Sequence, residues 1–141
     1  MKSAKWMLAV TVLMLSGLMT AQSITSSTVV ANVPFDFMVN NKIIPAGDMA
    51  VRAINLDGKI VAVNNFDARK SALATTSSAE QAQANTSTVL LFKHYGSQYF
   101  LSEIRIEGSK WTYTLPESRA EAELRAQNVS ASQTTLLAAL K

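Results

Sequence analysis

Residues 88–106 read TVLLFKHYGSQYFLSEIRI, two runs rich in aliphatic and aromatic residues on either side of Gly96-Ser97. Such runs around a short glycine turn are typical of a β-hairpin. Side chains alternate between the two faces of a strand, so the second run has one face toward the core and one toward solvent. The predicted core-facing set is Phe100, Ser102, Ile104 and Ile106, and the outward set is Tyr99, Leu101, Glu103 and Arg105.

Similar runs recur between turn signals through the rest of the chain. Asn40-Asn41 tolerates the positive φ of a tight turn, and Asp57-Gly58 is the strongest hairpin signal in the sequence. The short connections predict a mainly β fold, a small antiparallel meandering β-barrel or sandwich of about eight strands with a C-terminal α-helix. The predicted strands cover residues 28–33, 35–39, 42–44, 49–55, 59–64, 70–76, 88–95, 98–106 and 110–115.

The remaining segments lack the pattern of a strand. Residues 77–87 are rich in Ser, Thr, Ala and Gln and predict the longest loop. Residues 117–127 follow Pro116, are dense in Ala, Glu and Arg, and predict a helix with Ser118 and Glu121 as a capping box and Glu121 to Arg125 as an ion pair. Residues 134–140 are interpreted as a second short helix or a frayed tail.

The N-terminus has the pattern of a secretory signal peptide. Lys2 and Lys5 precede an uncharged run over residues 6–19, which is shorter than the roughly 20 residues that a membrane-spanning helix needs. Small residues permit cleavage after Ser23 or after Ala21. We therefore expect a signal peptide at 1–23, a β-domain at 24–116 and a helix with tail at 117–141, exported to the periplasm or the cell exterior, with membrane contact only through the uncleaved signal.

Composition narrows the classes of partner and cofactor. The chain has no cysteine, so disulfides, thiolate metal sites and lipid attachment through cysteine are excluded. Its formal net charge of +3 includes the two lysines of the predicted signal. The sequence has no cluster of Lys and Arg of the kind that binds nucleic acid, so a nucleic-acid partner is not predicted. No cofactor is predicted. With 48% hydrophobic residues, the chain can form a packed core without metal or sulfur bridges.

Several motifs resemble those of a family of small exported bacterial proteins of unknown function. The similarity covers about residues 30–124 and implies a secreted β-domain with a C-terminal helix rich in Ala, Glu and Arg; it implies no activity. One departure is Met49, where the family's pattern suggests an aromatic residue. The motifs are VPFDFMV at 33–39, IPAG at 44–47, FKHYGSQYFL at 92–101 and LPES at 115–118.

Candidate catalytic and metal-binding residues are few and scattered. His94 is the only histidine, and on a face shared with Leu90 and Phe92 it is interpreted as a core or rim residue. Four aspartates have no ligand-loop spacing and are interpreted as turn and strand-end residues: Asp36, Asp48, Asp57 and Asp67. Asp36 and Glu103 are a candidate carboxylate pair for hydrolysis.

Aromatic residues on the last strands supply the candidate partner surface: Tyr95, Tyr99, Trp111 and Tyr113. Such side chains stack on sugars or form an apolar patch for a protein, although cross-strand packing inside the domain is the competing interpretation. The preferred hypothesis is a non-enzymatic binding or structural module for an envelope glycan or protein. The alternatives are a small hydrolase of an envelope or extracellular polymer, using His94 or paired carboxylates as its base, and a β-barrel carrier of a small apolar ligand.

Overall fold

A computed structural model describes residues 28–54, 59–127 and 129–141 of the chain. The predicted signal peptide and the predicted turn at Asp57-Gly58 lie outside the described residues. In chain order the strands are β1 (Thr28–Val33), β2 (Phe37–Val39), β3 (Lys42–Ile44), β4 (Gly47–Ala53), β5 (Ile60–Asn65), β6 (Lys70–Thr75), β7 (Ser77–Glu80), β8 (Val89–Tyr95), β9 (Gln98–Arg105), β10 (Trp111–Thr114), β11 (Ala131–Leu137) and β12 (Ala139–Leu140). The helix α1 spans Arg119–Ala126.

The strands form two sheets, a β-sandwich rather than a closed barrel. The first sheet has the order β12-β1-β4-β5-β6, and all of its pairs are antiparallel. The second has the order β11-β8-β9-β10-β7, with β2 added in parallel to the first part of β9 and β3 paired to β2. The prediction of a mainly β fold with one helix is confirmed.

The hydrophobic core lies between the two sheets, because the inward side of every long strand carries aliphatic or aromatic residues. Phe92 of β8 contacts two rings from the first part of the chain, Phe35 and Phe37, at centroid distances of 5.0 and 5.1 Å, both edge to face. That geometry is the favoured one for aromatic pairs. The segment around Pro34 thereby joins the central hairpin of the second sheet.

A β-bulge corrects the predicted faces of β9. Phe92 pairs with Leu101, but Leu91 pairs with Glu103, so Ser102 is an extra residue on β9. An extra residue shifts the alternation by one. Leu101 therefore belongs to the core between the sheets, while the buried ring of Phe100 packs against Tyr95 on the opposite face. Phe100 is buried as predicted but on the opposite face, the outward prediction for Leu101 was wrong, and the predictions for Ile104 and Glu103 hold.

Two segments without an apolar period form strands. Ser77–Glu80, predicted as the start of a loop, pairs with β10, and only 81–88 is irregular. Ala131–Leu137, which overlaps the short helix or tail predicted at 134–140, pairs with β8 along its whole length. Both are edge strands with exposed polar side chains, whose pairing is specified by backbone hydrogen bonds rather than by alternation.

The helix has the predicted N-cap, spans Arg119–Ala126 within the predicted range 117–127, and differs in its ion pair. Ser118 is its N-cap, and its hydroxyl accepts a bond from the Glu121 backbone N–H at 3.2 Å. The predicted Glu121–Arg125 pair was wrong: Arg125 pairs with Glu117 at 3.0 Å, and Glu121 is buried at 6% exposure. Burial of Glu121 shows that the acidic side of this turn, and not its alanines alone, faces the protein.

Candidate binding groove

A buried hydrogen bond fixes α1 on the outer face of the second sheet. Tyr95, at the end of β8, donates its hydroxyl to Oε1 of Glu121 at 3.0 Å. Burial of the ring, and the hydrogen bond and negative charge of Glu121, raise the pKa of Tyr95 above its ordinary value of 10.0. The ring of Phe100 lies beside Tyr95, at a centroid distance of 5.8 Å. This polar anchor sets the distance between the helix and the sheet.

The opposite wall comes from the β2–β3 hairpin and the turn after it. Both turn residues, Asn40 and Asn41, have positive φ, as the sequence predicts. Asp36 accepts a hydrogen bond from the Ala46 backbone N–H at 2.8 Å. The carboxylate of Asp36 thus ties the entry of β2 to the exit of β3, a turn role of the kind predicted for the aspartates.

Asn65 forms hydrogen bonds to the turn at Pro45 and Ala46 that follows β3. Its side-chain amide donates to the carbonyls of Pro45 at 2.8 Å and Ala46 at 3.2 Å, and its Oδ1 accepts from the Ala68 N–H at 3.0 Å. Gly47 follows with φ of +142°, and a Cβ there would lie 3.3 Å from Nδ2 of Asn65. The turn therefore requires glycine at this position.

Between α1 and the hairpin lies an open groove of about 520 Å³, within the size range of protein ligand sites. Its apolar surface comes from the sheet, the hairpin and one face of the helix, and its lining also includes carboxylates, amides and hydroxyls. The lining residues are Asp36, Phe37, Met38, Ile43, Ser97, Gln98, Tyr99, Ala120, Glu123, Leu124 and Gln127.

The groove combines apolar surface with negative charge. Ile43 is 60% exposed, while Met38 and Leu124 are half-buried. Asp36 and Glu123 are both exposed carboxylates, and the described residues that line the groove include no lysine or arginine. Glu123 has a partner outside the groove, Arg119, at 3.3 Å, and such exposed pairs are weak. The arrangement suits a ligand with an aliphatic group and a cationic or donor group.

The four aromatic residues of the predicted partner surface do not form one surface. Tyr95 is buried beneath α1, and Tyr99 is half-buried and lines the groove. Trp111 and Tyr113 share a face of β10, where their cross-strand neighbours are Glu80 and Ser78 of β7. Only Tyr99 of the four contributes to the groove.

His94 belongs to a stack of rings at the rim of the sandwich. Its imidazole lies 4.9 Å from the Tyr99 ring at an interplanar angle of 26°, and Tyr99 in turn stacks on Phe35 at 3.8 Å. The ring is half-buried. The proposed carboxylate pair is separated: Asp36 lines the groove, whereas Glu103 lies on β9 and pairs with Arg105 at 2.9 Å.

A much smaller space lies at the N-terminal end of α1, between the helix, β6 and β9. Its volume is about 50 Å³, and its lining includes Ala74, Leu101 and Leu115. A space of this size has room for a few waters. It is too small for the ligand of a carrier protein.

Sequence reasoning identified neither Ile43 nor this particular face of the helix as lining of the groove. Ala120, Glu123, Leu124 and Gln127 are spaced i, i+3, i+4 and i+7, the spacing of one helical face. That spacing was the available signal. Nothing in the sequence places Ile43 beside this face, because the contact depends on β2 pairing with β9.

The described part of the chain offers few other sites. Within it, no group of three or more His, Asp or Glu side chains is placed to hold a metal ion. No helix among these residues has the length and apolarity to cross a bilayer.

Comparison of the chain with protein-family models, curated proteins and solved structures gives no significant match. The motif resemblance therefore stays a prediction.

Proposed function

We propose that this protein is an exported, non-enzymatic binding module of the periplasm or cell exterior, and that its groove holds a short segment of a partner protein. The groove between α1 and the β2–β3 hairpin supports this proposal more than any other feature. Its exposed Ile43 beside Met38 and Leu124 offers an aliphatic side chain of the partner a place to leave water. An apolar groove is one of the recurring sites at which proteins receive peptide segments.

Charge selects among peptide partners. Asp36 and Glu123 face the groove without a basic residue among its described lining, so a lysine or arginine in the bound segment gains favourable interactions. A glycan is a weaker fit, because sugar recognition uses exposed aromatic faces and the groove's Tyr99 already stacks on Phe35. The proposed ligand is a short segment with an aliphatic side chain near a cationic one.

A displayed library of random short peptides tests the proposal. We expect selected peptides to combine Leu, Ile or Val with Lys or Arg. Changing Ile43 to Asp should weaken the best peptide at least about tenfold, equivalent to 1.4 kcal/mol. Ile54→Asp is the matched control, since Ile54 is 55% exposed and outside the groove. If no peptide is enriched, or if both variants bind equally, the groove is not a peptide site.

One observation favours the hydrolase as a second candidate. Asp36 and Glu123 line the same open groove, and two carboxylates across a cleft are the usual apparatus of glycoside hydrolysis. If the groove hydrolyses an envelope polysaccharide, Asp36→Asn and Glu123→Gln should each abolish release of reducing sugar. Activity that survives either change, or that never appears with the parent protein, removes this candidate.

A further inference from the structure

The last residues of the chain join both sheets of the sandwich. We call residues 131–141 the C-terminal segment. Its first part, β11, pairs with β8 from Ala131 opposite Tyr95 to Leu137 opposite Val89. The segment then crosses to the other sheet, where β12 pairs with β1 and Lys141 exchanges two backbone hydrogen bonds with Thr28, of 2.8 and 2.9 Å. One short segment thus covers an edge of each sheet.

Backbone pairing, more than side-chain burial, holds this segment in place. Leu136 and Ala138 are half-buried against the core, whereas Leu137 is 77% exposed. The other side chains of β11 are exposed except for Thr134, which is half-buried. Segments with few buried apolar contacts open at a lower free energy than the core strands beside them.

The edge beneath the segment is much more apolar than the segment itself. Val89, Leu90, Leu91 and Phe92 of β8 are all buried while β11 is in place. Release of β11 leaves a row of unpaired N–H and C=O groups beside these residues, and an open edge of that kind accepts another strand. The strand that fits this edge best is the β11 of another copy, because it has the same register on β8 and places its own Leu136 and Ala138 against the core.

We propose that the C-terminal segment exchanges between two copies of this chain, giving a dimer in which each copy's β11 pairs with the other's β8. Every contact made within one copy is remade between two, so exchange requires only opening of the segment and encounter of a second chain. Dimer therefore increases with protein concentration. This inference is independent of the proposed binding function, because neither β11 nor β12 lines the groove.

Engineered cysteines can detect the exchange, since the chain contains no cysteine of its own. Lys93 and Gln133 are directly opposed across β8 and β11. One preparation carries Lys93→Cys, and the other, labelled with nitrogen-15, carries Gln133→Cys. They are mixed at high concentration under reducing conditions and then oxidised briefly. We expect a mixed disulfide between a labelled and an unlabelled chain.

The matched control moves the second cysteine out of register. Leu137→Cys lies on the same face of β11 and is well exposed, but its partner on β8 is Val89, four residues from Lys93. Four residues of strand span about 13 Å, too far for a disulfide. Random collision would link the thiol introduced at position 93 equally to thiols at positions 133 and 137. Exchange should give about tenfold more disulfide at position 133, because only that position meets the strict distance requirement of a disulfide.

A double variant separates exchange from failure of the pairing itself. A chain with both Lys93→Cys and Gln133→Cys, oxidised when dilute, should form the disulfide within one chain and then remain monomeric when concentrated. If that intrachain bond fails to form, the pairing on which the proposal depends is absent. Equal cross-linking at positions 133 and 137, or a monomer at every concentration in light scattering of the parent protein, also overturns the proposal.

Discussion

Asn65 connects three backbone groups in the turn that shapes one wall of the groove. At 1% exposure it has almost no contact with solvent, and its amide is the described partner for the Pro45 carbonyl. Removing the partner of a buried polar group destabilises the folded state, since water cannot reach that group to replace the lost hydrogen bond. The side chain on the fifth strand thus determines the position of residues twenty places earlier in the chain.

Changing Asn65 to Ala should reduce the free energy of unfolding by about 2 kcal/mol, because at least one backbone group loses its partner. Asn64→Ala is the control: that side chain is half-buried on the opposite face of β5, so the change should cost under about 0.5 kcal/mol. Urea unfolding followed by circular dichroism measures both. Equal losses would show that the hydrogen bonds of Asn65 contribute little.

Tyr95 makes stability depend on pH in the alkaline range. Its pKa is raised in the folded protein, first by burial and then by Glu121, so the folded state keeps the phenol proton longer than the unfolded state does. Above about pH 10 the unfolded state binds fewer protons, and stability falls as pH rises. The stabilisation that comes from Tyr95 is fully present below pH 10, and it is lost as the pH rises through the raised pKa of Tyr95 in the folded protein.

Tyr95→Phe should therefore cost about 1–2 kcal/mol near neutral pH, because Glu121 loses its described donor. The difference between the parent protein and this variant should shrink as pH rises above 10. Urea unfolding from pH 7 to 11 measures it. Glu121→Gln keeps an acceptor but removes the charge, so it should weaken the pH dependence. A difference that stays constant with pH would contradict the assignment.

Glu121 also shows how a local rule fails when a tertiary contact competes. The spacing of Ser118 and Glu121 predicts a reciprocal capping box, and the half in which Ser118 accepts from the Glu121 N–H is present. The carboxylate of Glu121 accepts from Tyr95 instead. The sequence could not reveal this choice, because it depends on which helical face meets β8.

At the scale of elements, strands rich in apolar residues were predicted well, whereas the polar strands β7 and β11 at the sheet edges were not. β1, β3 and the β8–β9 hairpin were found because apolar residues dominate them and turn residues bound them. β7 and β11 contain Ser, Thr, Ala and Gln, and nothing local distinguishes such strands from loops. Ser102 likewise gives no local sign of the bulge that reverses the faces of β9.

Helix α1 depends on its N-cap, since eight residues form a helix of marginal intrinsic stability. Ser118→Ala removes the oxygen that accepts from the Glu121 N–H, and should lower the free energy of unfolding by about 1 kcal/mol. Ser118→Asp keeps an acceptor at the same position and should stay close to the parent. Urea unfolding compares them. Equal loss in both would show that the serine acts through something other than the cap.

For the whole molecule, the order of the strands determines where the groove lies, and strand order was beyond prediction from one sequence. β2 pairs in parallel with β9, which is more than fifty residues away, and this pairing carries Met38 and Ile43 to the helix. β6 continues into β7 across one residue, so the chain changes sheets there, as it does again at Ala138. Barrel and sandwich differ only in such long-range pairings.

Export is a prediction about the whole molecule, and the proposed function depends on it. Lys2 and Lys5 followed by an uncharged apolar run predict cleavage after Ser23, or after Ala21. β1 begins at Thr28, so a cut at either place removes none of the described sandwich. In a bacterial host, the protein recovered from the periplasm or medium should have the intact mass of a chain starting at Ile24 or Gln22.

A charge inside the apolar run distinguishes a signal from an incidental hydrophobic stretch. Leu13→Arg should hold the chain in the cytosol at full length, because an export signal needs an uncharged apolar segment. Leu13→Ile preserves that segment and should leave export and cleavage unchanged. Were the parent protein to stay in the cytosol with Met1 in place, the groove could not meet a partner outside the cell, and a peptide from a cytosolic protein would become the ligand to seek.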